Sequence, residues 1–168
     1  GKMQIVSVPY NFTDLLKNIT SSFSLALAKK RLYLHCHYSE DLPTYLKGDC
    51  VRVKQILSNI ISNAIKYTKK GGIDFTVSNA VLANNQIILT FTIKDTGIGI
   101  KEQNLDSIFQ SFEQVDVKRN REVEGTGLGL AIAKNLAEIM GGDIHVESVY
   151  RAGSTFTITI IQEIDSHI

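Results

Sequence analysis

The sequence predicts a two-layer α/β sandwich: a mixed, mostly antiparallel sheet of about five strands, covered on one face by about three helices. Three observations carry that prediction. Apolar residues recur at helical spacing over 11–30 and 50–68, and period-two alternation marks the segments between. The strands at 73–78 and 86–94, and again at 144–149 and 154–161, follow one another directly and read as hairpins. A parallel doubly wound sheet has no such hairpins, so a mixed sheet fits better.

The first helix is expected over 11–30, with Phe12, Leu15, Leu16, Ile19, Phe23 and Leu27 on one stripe and Asn11 or Thr13 as its cap. RLYLHCHY then alternates Leu32, Leu34, Cys36 and Tyr38, the pattern of a half-buried strand. Gly48-Asp49 offers an N-cap for a long helix over 50–68 that buries Val53, Ile56, Leu57, Ile60, Ile61 and Ala64 and stops at Gly71-Gly72. The first hairpin turns at Asn84-Asn85 and runs into DTGIGI, residues 95–100. A short helix with Leu105, Ile108, Phe109 and Phe112 follows. EQVDVKRNREVE, residues 113–124, is polar and without period, and reads as a mobile loop. It leads into GTGLGL, 125–130, which opens a helix to Met140 before the second hairpin closes the chain.

The totals bound the function. With 168 residues the chain is one domain, or one domain with a short leader, and a net charge of +1 gives no electrostatic reason to expect nucleic acid. Two cysteines suit a reduced, cytoplasmic setting better than a disulfide scaffold. No apolar run reaches the ~18 residues of a membrane span. The start Gly1-Lys2 suggests an excised fragment, so an anchor in the inner or plasma membrane elsewhere in a longer protein stays open.

The two glycine hexapeptides are the candidate chemistry. Neither fits a dinucleotide loop, which wants G-x-G-x-x-G: the third position falls on Glu102 from Gly97, on Leu130 from Gly125 and on Ile132 from Gly127. No Walker string G-x-x-x-x-G-K-[ST] is present, and the protein-kinase partner motifs are absent. A structural turn therefore remains open for each glycine pair taken alone. Upstream, Asn59, Asn63, Lys66 and Tyr67 share one helical face. The carbonyl oxygen of Asn63 suits Mg²⁺ shared with substrate phosphates, and Lys66 one turn on can neutralise those phosphates. An asparagine cap with a solvated lysine is the bland alternative.

Asn63 with Lys66, then DTGIGI, then IFQSFEQ, then GTGLGL together resemble the asparagine, first glycine, phenylalanine and second glycine boxes of sensor histidine kinases. The family is their ATP-binding catalytic domain, with the Bergerat fold shared with gyrase, Hsp90 and MutL. The match runs from about Asp49 to Ile161 and consists of four motifs in order. The resemblance implies a linker from an upstream dimerisation domain over 1–10, the catalytic domain over 11–162 and a tail over 163–168.

It also implies roles. Asp95 would accept a hydrogen bond from the adenine amino group, with Gly97, Gly99 and Ile100 close to base and sugar. Gly125, Thr126, Gly127, Leu128 and Gly129 would wrap the triphosphate at a helix start. Asn63 would hold Mg²⁺, and Lys66 and Tyr67 would contact the nucleotide. Lys118, Arg119 and Arg121 are candidates to reach the γ-phosphate from the loop. Phe109, and with it Phe112, could brace that loop or simply fill the core. Ser154 could touch adenine through water or be an ordinary strand residue.

Asn59 occupies the position where gyrase-like relatives carry a water-activating glutamate, and an amide is a poor general base. The catalytic set implied is Asn59, Lys66, Arg119 and Arg121. Of the four histidines, His35, His37, His145 and His167, none has the H-E-x-[KRN] setting of the phosphoacceptor. His35 and His37 read as strand residues with no third metal ligand apparent.

The expected activity is transfer of the γ-phosphoryl of Mg-ATP to a histidine on a separate dimerisation domain of the same protein, for relay to a response-regulator receiver aspartate. The isolated chain is expected to be monomeric and nearly inactive, and the full protein a homodimer. An ATPase of the gyrase-like kind, an ATP-sensing module without phosphotransfer and an anti-sigma serine kinase are the competing readings.

Overall fold

A computed structural model describes residues 4–110 and 126–165, and for 126–128 the backbone only. Among the described residues, β1 is Val8–Asn11, α1 Phe12–Ser22, α2 Ser24–Lys30, β2 Tyr33–Tyr38, β3 Tyr45–Gly48 and α3 Cys50–Lys66. Then come β4 Gly72–Val81, β5 Gln86–Asp95, α4 Thr126–Ile139, β6 Asp143–Val149 and β7 Gly153–Ile164. The sheet order is β1-β3-β7-β5-β4-β2, with β6 also paired to β7. Only β2 and β4 run parallel; the other pairings are antiparallel. The mixed sandwich and both hairpins stand as the sequence predicts, with seven strands in place of about five.

The two additional strands are β1 and β3, of 4 residues each. They are too short to display alternation, and β1 contains Pro9, which cannot donate to a ladder. The helix expected over 11–30 is two helices broken at Phe23. Its cap is Asn11, whose side-chain oxygen accepts from the Asp14 N–H at 2.9 Å. The break has a local cause. Thr20, Ser21, Ser22 and Ser24 turn their hydroxyls back onto carbonyls three or four residues earlier and compete with the helical ladder.

Helix α3 follows its predicted pattern: Val53, Ile56, Leu57, Ile60, Ile61 and Ala64 are all buried. Its N-cap Asp49 accepts from Arg52 N–H at 3.2 Å and, through its other oxygen, from Val6 N–H at 2.9 Å, tying the leader to the helix start. Under α3 lie Phe75, Val77, Leu89, Phe91 and Ile93, the inward positions of β4 and β5, all fully buried. Strand β2 corrects the expected half-buried face. Leu34 is half-buried, but Cys36 and Tyr38 are exposed, because β2 is the last strand of the sheet and pairs only on its β4 side. The short helix expected after DTGIGI is a single 3-10 segment, Glu102–Ser107.

Candidate functional site

Asp95 is the last residue of β5 and is only 6% exposed. One carboxylate oxygen, Oδ1, accepts the Gly97 N–H at 2.8 Å and the Ser154 N–H at 3.3 Å. Burial pushes this carboxyl above its ordinary range, and the two N–H groups only partly offset that. No hydrogen bond to Oδ2 is found among the described residues. A strand-end carboxylate in this setting is a fixed, partly desolvated acceptor.

The glycines behind it are required by contact. A Cβ on Gly97 would lie 2.5 Å from the Tyr67 carbonyl oxygen and 2.9 Å from both Asp95 Oδ1 and Thr68 Oγ1. Gly99 has φ +72, and a Cβ there would sit 2.2 Å from the Val149 carbonyl oxygen. The loop is pinned on both sides. Ile98 N–H donates to Tyr67 O at 3.1 Å, and Arg151 N–H donates to Ile98 O at 2.5 Å. DTGIGI is therefore pressed between the end of α3 and the β6–β7 turn.

On α3, Tyr67 meets this loop and Asn59 reaches α4. Asn59 Nδ2 donates to the Gly129 carbonyl at 3.1 Å, joining α3 to the start of α4. Asn63, one turn on, is half-buried, with no hydrogen bond to its amide among the described residues. Tyr67 Oη is buried without a hydrogen-bond partner among the described residues. Lys66 is exposed, its ammonium 5.6 Å from the Tyr67 ring. Thus α3 links the two glycine segments: its end meets DTGIGI and its middle meets the GTGLGL helix.

The remaining predicted residues divide. Ile100 N–H donates to Ser148 Oγ at 2.7 Å, and Ser148 Oγ lies 2.9 Å from Ser154 Oγ. Phe109 stands edge-on to Phe156 at 6.2 Å with the Lys134 ammonium 5.2 Å from its ring, the contacts of a core residue. Thr126, Gly127 and Leu128 belong to the first turn of α4. Phe112, Lys118, Arg119, Arg121 and Gly125 lie outside the described residues.

His35 and His37 both face Asp74 Oδ1, at 3.5 and 3.4 Å, on the exposed side of β2 and β4. No group of three or more His, Cys, Asp or Glu fit to hold a metal is found among the described residues.

Sequence reasoning missed two participants. Thr68 is fully buried, donates to Ala64 O at 2.6 Å and backs Gly97. Its signal was its place directly after Lys66-Tyr67 at a helix end. Ser148 joins Ile100 to Gly153 and Ser154. A serine in an alternating strand carries no mark of that role.

With this geometry, comparisons with known proteins agree. The family model for histidine kinase-, DNA gyrase B-, and HSP90-like ATPases matches residues 48–164. The sensor histidine kinase GacS of Pseudomonas protegens is 42% identical over 163 residues, covering 95% of this chain and 17% of that protein. The structure of full-length ShkA in complex with AMPPNP superposes with a TM-score of 0.79 at 28% identity, covering 98% of this chain and 33% of the other. The catalytic domain of the histidine kinase ThkA superposes with a TM-score of 0.69 at 26% identity, covering 94% of this chain and 95% of the other. The chain spans less than a fifth of the length of the curated relatives it matches.

Proposed function

The chain belongs to the histidine kinase-, DNA gyrase B-, and HSP90-like ATPase family, and on that premise we propose that it is the catalytic domain of a sensor histidine kinase. In this reading it binds Mg-ATP between DTGIGI and α4 and presents the γ-phosphoryl to a histidine on a separate dimerisation domain. The observation that carries it is Asp95: a buried carboxylate with Oδ1 held by two backbone N–H groups and Oδ2 unused by the described residues. Adenine offers an amino hydrogen there. Guanine offers a carbonyl oxygen, which the carboxylate repels.

The phosphate end follows from α3 and α4. The start of α4 supplies backbone N–H groups without partners inside the helix and the positive end of a helix dipole. Asn63 and Tyr67 both present polar groups unused by the described residues, which supports a polyphosphate and its metal as their partners. Asn63 would hold Mg²⁺ through its carbonyl oxygen, and that ion, when bound, neutralises charge on the phosphate oxygens. Lys66 adds a second positive charge, and Arg119 and Arg121, with Lys118, are the candidates to reach the γ-phosphate.

Transfer then needs no base from this chain. A neutral imidazole nitrogen of the partner domain attacks the γ-phosphorus, the bond to the bridging oxygen breaks, and ADP leaves with the electron pair. Asn59 fits that chemistry: its amide is spent as a donor to Gly129 O and cannot take a proton from water. On the same reading the segment before β1 leads from the dimerisation domain, and the catalytic unit is wider than 11–162 at both ends, since Val8–Asn11 pairs with β3 and β7 runs to Ile164. The relay would continue to a receiver aspartate, and the whole protein would be a homodimer.

Mixing this chain with a dimerisation domain that carries the acceptor histidine and with γ-labelled ATP tests the proposal. Acid-labile label on that histidine is expected. Free phosphate without labelled histidine would assign the chain to the ATPases instead.

A further inference from the structure

Lys66 and Tyr67, which the reading above assigns to the nucleotide, stand at the C-terminal end of α3, and a helix end leaves four carbonyls without helical partners. Each has a named partner here. Ala64 O accepts the Thr68 hydroxyl, and the Tyr67 carbonyl accepts the Ile98 N–H. The other two, Ile65 O and Lys66 O, both accept from the ammonium of Lys30, at 2.6 and 3.1 Å, and Ile65 O also takes the Thr68 N–H at 3.4 Å.

Lys30 is the last residue of α2, remote in sequence from every nucleotide motif. It is half-buried while its neighbours Lys29 and Arg31 are exposed. The junction around it is equally fixed. Arg31 takes the left-handed conformation with φ 56, Leu32 N–H returns to Leu27 O at 3.0 Å, and Tyr33 N–H donates to Gly71 O at 3.1 Å. The backbone that places the Lys30 stem is thus tied to the segment just after α3.

We propose that Lys30 is a positioning residue for the nucleotide. It clamps the last turn of α3 so that Tyr67 is held against the Asp95–Gly99 loop with Lys66 beside it, and its positive charge offsets the negative end of the α3 dipole at the pocket. The inference rests on the nucleotide reading above. A lysine near a helix C-terminus is favourable for both reasons, through hydrogen bonds to the last carbonyls and through the dipole. The position also gives α2, in the N-terminal part of the chain, a direct hold on the ATP pocket.

Calorimetric titration of the whole 168-residue chain with Mg²⁺ and a non-hydrolysable ATP analogue, well below its unfolding temperature, tests this. Lys30→Met, which keeps the apolar stem and removes the donors, should bind about tenfold more weakly, or about 1.4 kcal/mol. Lys30→Arg should recover most of that loss, and Lys29→Met should bind like the parent. Amide exchange at Tyr67 and Thr68 in the nucleotide-free chain should quicken in Lys30→Met alone.

Unchanged affinity in Lys30→Met would overturn the proposal even if its melting temperature falls, since a merely structural lysine predicts that result. An equal loss in Lys29→Met, or no recovery in Lys30→Arg, would overturn it too. A parent chain that binds no nucleotide would overturn the pocket reading itself, and that outcome is distinct from a parent that binds and a Lys30→Met that binds equally well.

Discussion

Asp95 and Ser154 face each other in the β5–β7 ladder, and the Ser154 N–H donates to Asp95 Oδ1 at 3.3 Å. The carboxylate is thus part of the sheet's own hydrogen bonding and is also the proposed reader of the base. These two duties have opposite energetic signs. Burial raises the Asp95 pKa above its ordinary 3.8, so the unfolded chain releases that proton first. Its contribution to stability is fully present below 3.8 and is lost as pH rises through the higher folded value.

Asp95→Asn should therefore fold at least as stably as the parent at neutral pH, because a neutral amide carries no buried charge and its carbonyl can still accept both N–H groups. The stability gap between variant and parent should grow from about pH 4 upward through the raised pKa, then level off. Melting curves across pH check the sign. Nucleotide titration of the same variant should show ATP affinity reduced about tenfold or more, the cost of losing a hydrogen bond to a charged acceptor. A variant that keeps full ATP affinity would remove Asp95 from base recognition.

Gly97→Ala should damage fold and site together. Its Cβ would meet the Tyr67 carbonyl at 2.5 Å, and that carbonyl is fixed by the Ile98 N–H at 3.1 Å. Backbone cannot yield there without breaking the bond that holds the loop. The expected cost is about 1–3 kcal/mol in chemical denaturation, typical of overpacking, with nucleotide binding lost in the fraction that still folds.

Much of this was legible in the sequence, and where it was not the reasons are physical. Helix α3 was readable because six apolar positions repeat at helical spacing and Asp49 caps them; all six are buried. The four motifs named the family because their order is specific. Helix α1–α2 misled because apolar period continues through Phe23 to Leu27, while Thr20, Ser21 and Ser22 bond back to the ladder and break it. Strand β2 misled because alternation shows which residues share a face, but it cannot show that the strand ends at the edge of the sheet. Thr68 and Ser148 went unnoticed because their roles depend on atoms brought near by tertiary packing.

Asn59 makes a prediction about charge. Its Nδ2 donates to Gly129 O, at the start of the helix proposed to hold the phosphates. Removing the amide in Asn59→Ala should cost little stability, about 0.5–1.5 kcal/mol for one hydrogen bond. Asn59→Asp should bind ATP more weakly than Asn59→Ala, because a carboxylate there faces both the Gly129 carbonyl and the phosphates. The order parent, Ala, Asp in affinity, with the last gap narrowing at high salt, is the expected result of titrations at two ionic strengths.

Thr68 should prove a stability determinant through one carbonyl. Its backbone N–H goes to Ile65 O at 3.4 Å, while its hydroxyl takes Ala64 O at 2.6 Å. Thr68→Val keeps the shape of the side chain but leaves Ala64 O without that donor, at a residue where the side chain is fully buried. The loss should be about 1–3 kcal/mol, the cost of a buried group left unsatisfied. Thr68→Ser keeps the hydroxyl and removes only a methyl, so it should cost less than Thr68→Val. Urea melts should show the midpoint falling in Val with the slope unchanged, since the loss is local and the surface exposed on unfolding is the same. A Val variant as stable as the parent would mean that water or a backbone shift supplies Ala64 O, and the end of α3 would then be less rigidly held than its hydrogen bonds indicate.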